Sequence, residues 1–120
     1  MNAYAPYSQF HIGAAILAAD GRVFTGANVE NASLGLTICA ERVALGAAVS
    51  AGVRSIVAIA VAGDGRSGVL PCGACRQALA EFSRSCVVVR CHPDGSYDTK
   101  ILADLCPAPF TGGELEMAGT

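Results

Sequence analysis

The chain has 120 residues, enough for one domain and too few for two, so residues 1–120 are read as a single domain. With 52% hydrophobic and only 15% charged residues it is not a disordered chain, and its charge deficit suggests that part of its surface is buried in an oligomer. Eight Lys and Arg against ten Asp and Glu give a net charge of −2 with no basic run, which speaks against a long nucleic acid as partner.

No stretch approaches the ~18 uninterrupted apolar residues of a membrane span, so no membrane partner is expected. The start, Met1-Asn2-Ala3-Tyr4-Ala5-Pro6-Tyr7-Ser8, has neither the basic nor the apolar region of a signal peptide. A cytoplasmic protein is expected, and there six cysteines point to metal or catalysis before disulfides.

Along the chain, Phe10 to Ala19 reads as a strand, and Asp20-Gly21 is the dipeptide favoured in two-residue hairpin turns. Arg22 to Asn28 alternates and forms the returning strand. Thr37 to Ala51 carries Ile38, Val43, Leu45 and Val49 among five alanines, which predicts a helix with Thr37 as N-cap and Gly52 at its end. Ser55 to Ala62 is apolar on both faces, as a central strand must be. The segment Gly63 to Gly68 lacks a phosphate-binding fingerprint and reads as a plain connection. Pro71 to Phe82 holds a second helix with Pro71 near its first turn. Cys86 to Cys91 is a strand, His92 to Ser96 a turn, and Tyr97 to Leu102 the final strand. This order predicts an α/β fold with helices layered on a mixed sheet of about five strands. The last two strands are antiparallel, because only a turn joins them.

Three cysteines fall at helix starts: Cys39 before the first helix, and Cys72 and Cys75 in Cys72-Gly73-Ala74-Cys75 at the second. A C-x-x-C alone could be a redox pair or half a zinc finger. Here only one further ligand is suitably placed, and three protein ligands leave a tetrahedral zinc one open position for water. Glu41, two residues after Cys39, can share that site only at the first turn, where a carboxylate near the ion is placed for proton transfer. The pattern Cys39-Ala40-Glu41 with Pro71-Cys72-Gly73-Ala74-Cys75 follows the zinc deaminase signature, with Cys in place of His as first ligand.

The segments Tyr4-Ala5-Pro6-Tyr7-Ser8, Phe10-His11-Ile12-Gly13-Ala14-Ala15, Asn28-Val29-Glu30-Asn31-Ala32-Ser33, Cys39-Ala40-Glu41-Arg42 and Pro71-Cys72-Gly73-Ala74-Cys75-Arg76-Gln77, with the tail Leu105-Cys106-Pro107-Ala108-Pro109-Phe110, together resemble cytidine deaminases of the homotetrameric type. The resemblance runs from about residue 4 to residue 115. It implies a three-layer α/β/α fold, a homotetramer and one Zn²⁺ per subunit held by Cys39, Cys72 and Cys75. It also implies that Glu41 shuttles protons and that Phe10 lies against the pyrimidine. Asn28 and Glu30 would hold the ribose, the Ala40 N–H the 2-oxo group, and Phe110 would reach a neighbouring subunit's site. The implied reaction is hydrolytic deamination of cytidine and 2′-deoxycytidine to uridine and 2′-deoxyuridine with release of ammonia, as in pyrimidine salvage. An acidic ribose reader would repel a 5′-phosphate, which favours a nucleoside over a nucleotide.

Three thiolates around Zn²⁺ leave a net charge of −1, which makes a weaker Lewis acid than a site with one His. Arg42 is the nearest fixed positive charge in sequence and is expected to hydrogen-bond the ligand sulfurs and restore electrophilicity. Cys86, Cys91 and Cys106 are expected to be buried small hydrophobes or spectators. His11 and His92 are expected to be surface or satisfied residues, and Arg66 and Arg76 to be solvent or intersubunit charges. Two features depart from the family: Met1 stands almost directly before the Tyr-x-Pro-Tyr-Ser element, where most members carry a helix, and Leu34 stands where an aromatic is frequent. The alternatives are a blasticidin-type deaminase, disfavoured by Asn28-Val29-Glu30; a nucleic-acid editing deaminase, disfavoured by the missing basic patch; and a zinc-stabilised interaction module.

Overall fold

The computed structural model describes residues 2–119. Five strands form one mixed sheet: β1 (Ile12–Ala18), β2 (Val23–Ala27), β3 (Ile56–Gly63), β4 (Val87–Cys91) and β5 (Tyr97–Ile101), in the spatial order β2-β1-β3-β4-β5. Only β3 and β4 pair in parallel, and the segment between them supplies the crossover, helix α2 (Gly73–Ala80). The final pair, β4 with β5, is antiparallel as expected.

Helix α1 (Ala40–Ser50) lies against β1 and β2. Ile16, Ile59, Val61 and Val88 project from the sheet to meet Ala44, Leu45 and Ala48 of α1, together with Leu79 of α2 and Leu102. The alanines of α1 let the helix approach β2 closely. A Cβ on Gly26 would stand 2.5 Å from both Ala40 O and Ala44 N, so only glycine admits this contact. Helix α1 ends as the sequence predicts, with Gly52 at φ +95°. The N–H groups of Gly52 and Val53 return to the carbonyls of Val49 and Ala48, a Schellman closure. Arg54 adds a further bond from Nη1 to Val49 O at 3.0 Å.

Several boundaries differ from the sequence reading. Thr37 does not cap α1: Ile38 exchanges backbone bonds with Val29 at 2.8 and 2.9 Å, so the chain stays extended until Cys39, which is the N-cap. Leu34–Leu36 instead forms a single 3₁₀ turn. Pro71 stands directly before α2, near its first turn as expected, and Cys72 is the N-cap. The first hairpin has a three-residue loop: Ala18 N–H bonds Arg22 O, Gly21 N–H bonds Ala18 O, and Gly21 takes φ +92°. The β4–β5 hairpin closes the same way through His92, Gly95 and Ser96. The strand expected to end at Leu102 gives way to a short helix α3 (Leu102–Leu105), and the tail contains α4 (Gly112–Gly119). Arg76, expected to face solvent or another subunit, bonds Pro71 O and Leu105 O at 2.8 and 3.2 Å and so ties α3 to the start of α2.

Candidate active site

The N-termini of α1 and α2 converge, because Cys39 caps the first helix and Cys72 the second. Neither side chain makes a hydrogen bond that caps its helix, and the two sulfurs face each other across the junction. Cys39 Sγ lies 3.8 Å from Cys72 Sγ, Cys72 Sγ lies 3.5 Å from Cys75 Sγ, and all three sulfurs fall within 4.8 Å of one another. Ligands at about 2.3 Å around a tetrahedral zinc stand about 3.8 Å apart, so the sulfurs already have the spacing such an ion requires.

The charges point the same way. Burial raises the pKa of Cys75, and the nearby Glu41 carboxylate adds to the rise. At Cys72 burial also opposes ionisation, but the N–H groups of Cys75 and Ala74 and the neighbouring thiols outweigh it, and the net direction is down. Three thiolates this close repel one another, and a divalent cation between them removes that repulsion. Arg42 Nη2 stands 3.6 Å from Cys39 Sγ, while Arg42 Nε is the one buried side-chain polar atom without a hydrogen-bond partner among the described residues. A guanidinium withdrawn from water beside these sulfurs favours their anionic forms. The donor set therefore fits one zinc ion per chain.

Glu41 is 4% exposed and lines the cleft beside the sulfurs. Desolvation pushes its pKa up, against the pull of its own backbone N–H, Cys75 and Arg42. A carboxylate so placed is a stronger base than one in water. The cleft holds about 320 Å³, the size of a small-molecule site. Its walls are Ser8, Phe10 and Ile12 from the N-terminal segment, Asn28 and Glu30 from the end of β2, Thr37, Cys39 and Glu41 at α1, and Val69, Leu70 and Cys72 before α2.

Asn28 and Glu30 stand in the wall as expected, but both are already at work on the backbone. Asn28 Nδ2 donates to Phe10 O at 2.9 Å and its Oδ1 accepts from Ile12 N at 3.0 Å. Glu30 Oε1 accepts from Tyr7 N and Ser8 N at 3.0 and 3.1 Å, and Oε2 accepts the Ser8 hydroxyl. The Ser8 hydroxyl and those N–H groups hold the Glu30 pKa below the ordinary carboxylate range. One N–H of Asn28 and lone pairs on Glu30 stay available to a ligand.

Ala40 is fully buried and presents its N–H at the first helical position, where the helix supplies no acceptor. Phe110 is not among the residues lining this chain's cleft: the residue is 54% exposed, and its N–H and carbonyl are clamped by the Gln77 side chain at 3.0 and 2.8 Å. Ser8, Ile12, Thr37, Val69 and Leu70 also line the cleft, and no local sequence signal marks them for it: Thr37 reads as a helix cap, and the other four need the path of the chain.

Comparison with known proteins agrees with this geometry. Residues 1–91 match the family model for the cytidine and deoxycytidylate deaminase zinc-binding region. A cytidine deaminase of Halalkalibacterium halodurans is 48% identical over 114 residues, covering 94% of this chain and 86% of that protein. The crystal structure of cytidine deaminase from Burkholderia pseudomallei superposes with a TM-score of 0.86 at 47% identity, covering 91% of this chain and 88% of that one. The corresponding Mycobacterium tuberculosis structure gives 0.80 at 44% identity, covering 92% and 86%.

Proposed function

The chain belongs to the cytidine and deoxycytidylate deaminase family, and from that premise we propose that it hydrolyses cytidine and 2′-deoxycytidine to uridine and 2′-deoxyuridine with release of ammonia. The observation that carries the reading is the meeting of three sulfurs and one buried carboxylate in a single small cleft. Cys39, Cys72 and Cys75 hold the zinc. When bound, the ion supplies a Lewis acid that makes a water acidic enough to act as nucleophile at neutral pH.

Glu41 accepts the attacking water's first proton on a carboxylate oxygen and delivers it to ring nitrogen 3; once the bond from oxygen to carbon 4 has formed, it takes the remaining hydroxyl proton and passes it to the amino group, which leaves as ammonia as the 4-oxo group forms. Phe10 offers an aromatic face to the pyrimidine. The Ala40 N–H donates to the 2-oxo group, aided by the positive end of α1. Asn28 and Glu30 use their remaining hydrogen-bonding capacity on the ribose hydroxyls, and because they also fix the 7–12 backbone, sugar recognition and the position of Phe10 share one bracket. Arg42 offsets the excess negative charge of the thiolates. In Arg42→Gln, kcat is expected to fall about tenfold and zinc to be lost more readily to a competing chelator. Unchanged turnover with unchanged zinc retention contradicts this role.

The apolar ridge Leu34, Leu36 and Ile38 and the ring of Phe110 stand exposed. Together with the low charge content they support assembly into a homotetramer, in which Phe110 reaches a neighbouring subunit's cleft. Sedimentation at micromolar concentration would read a tetramer, and a monomer there removes the Phe110 role. The net charge of −2 with no basic run supports a small-molecule rather than a nucleic-acid partner, and the six free cysteines support a cytoplasmic setting. No helix among the described residues is long and apolar enough to cross a membrane. The reading is tested by the ultraviolet absorbance change when zinc-loaded protein is given cytidine, deoxycytidine or blasticidin. Conversion of the two nucleosides is expected; conversion of blasticidin alone contradicts it.

A further inference from the structure

The segment after β3 does more than connect. Asp64 grips the residue that follows Phe10 at three points: its N–H donates to His11 O at 3.1 Å, its Oδ1 accepts from His11 N at 2.8 Å, and its Oδ2 lies 2.6 Å from His11 Nδ1. The glycines on either side of it lie under the Phe10 ring. A Cβ on Gly65 would stand 2.6 Å from Phe10 Cε2, and one on Gly63 3.1 Å from Phe10 Cζ. The far end of the segment is pinned too, since Gly68 N–H donates to His92 Nδ1 at 3.3 Å and His92 Nε2 lies 2.6 Å from Asp98 Oδ1. On the other side of Phe10, Gln9 takes φ +58°, a left-handed conformation that a non-glycine residue adopts at a cost. The ring is thus caught between a strained turn and an anchored loop, with the cleft on its open side.

We propose that Gly63, Asp64 and Gly65 are positioning residues: they form a backstop that sets where the Phe10 ring stands, and so set the width of the cleft and its affinity for a pyrimidine nucleoside. This inference rests on the reading that Phe10 faces the base. Asp64 fixes the backbone on which the ring is carried, and the absence of side chains at 63 and 65 lets the ring lie back. A methyl group at position 65 meets the far end of a rotatable side chain, so the ring yields toward the cleft while the fold is kept. The sulfurs and Glu41 are carried by the starts of α1 and α2 and not by this loop, so binding suffers and chemistry does not.

The experiment compares KM and kcat for cytidine in the wild type, Gly65→Ala, Asp64→Ala, Phe10→Leu and the double variant Phe10→Leu/Gly65→Ala, each assayed for zinc. Gly65→Ala and Asp64→Ala are each expected to raise KM about tenfold, with kcat and zinc content held. In the Phe10→Leu background the smaller side chain leaves room, so Gly65→Ala should change KM by less than about twofold; a general structural defect would instead carry over in full. An unchanged KM in both single variants, or the same KM penalty with and without Phe10, overturns the proposal. A wild type that ignores cytidine, or a Phe10→Leu variant with wild-type KM, overturns the reading beneath it instead.

Discussion

Glu41→Gln is expected to lower kcat for cytidine by about a thousandfold to ten-thousandfold, with zinc content and thermal stability near those of the wild type. The amide keeps the size of the carboxylate, but it cannot accept the proton of the attacking water or return one to ring nitrogen 3. No second group in the cleft replaces it: Glu30, the other acid lining the cleft, is engaged by Tyr7, Ser8 and the Ser8 hydroxyl on the opposite wall. Its pKa is held low, which makes it a poor base, whereas burial moves that of Glu41 up. The two carboxylates are thus pushed in opposite directions, which suits Glu41 to proton transfer and leaves Glu30 holding the backbone. Ammonia release by a coupled assay, with metal measured on the same sample, decides the matter. Turnover in Glu41→Gln within tenfold of the wild type would remove Glu41 as the proton carrier.

The second large effect is at Cys75. Cys75→Ala is expected to lose zinc on dialysis against a chelator that leaves the wild type loaded, and to lose at least about a hundredfold in activity, beyond what loss of a group supporting a ligand would cost. Cys75 is fully buried, but the sheet core of Ile16, Ile59, Val61 and Val88 packs against α1 without it. Circular dichroism should therefore still show a folded chain, with a lower melting point. This separates a catalytic ion from a structural one, since a domain that owes its fold to zinc would unfold in the same variant. Full activity with one zinc per chain would show that the trio is not the metal site.

How much of this could be read from the chain depended on the range of the contacts. Cys72, Cys75 and the open fourth position were legible because both ligands lie on one helix turn, and Cys39 with Glu41 because they share another. The strands and the antiparallel last pair followed from apolar runs and turn dipeptides. What failed was set by partners far along the chain. Thr37 looks like a cap until Val29 captures Ile38, and Arg76 looks solvent-bound until Leu105 arrives beside it. The resemblance implies that Asn28 and Glu30 hold the ribose, and nothing local shows that Phe10, Ile12 and Ser8 reach them first. Gly63 to Gly68 carried no motif, because its meaning lies 53 residues away at His11.

If zinc and Glu41 together remove the amino group of a pyrimidine nucleoside in this cleft, the ammonia released from cytidine should follow zinc added back to metal-free protein. Release should rise in proportion to bound zinc, reach its plateau at one ion per chain and be nearly absent in Glu41→Gln at the same loading. Release that ignores bound zinc, or no release at full loading, would contradict it.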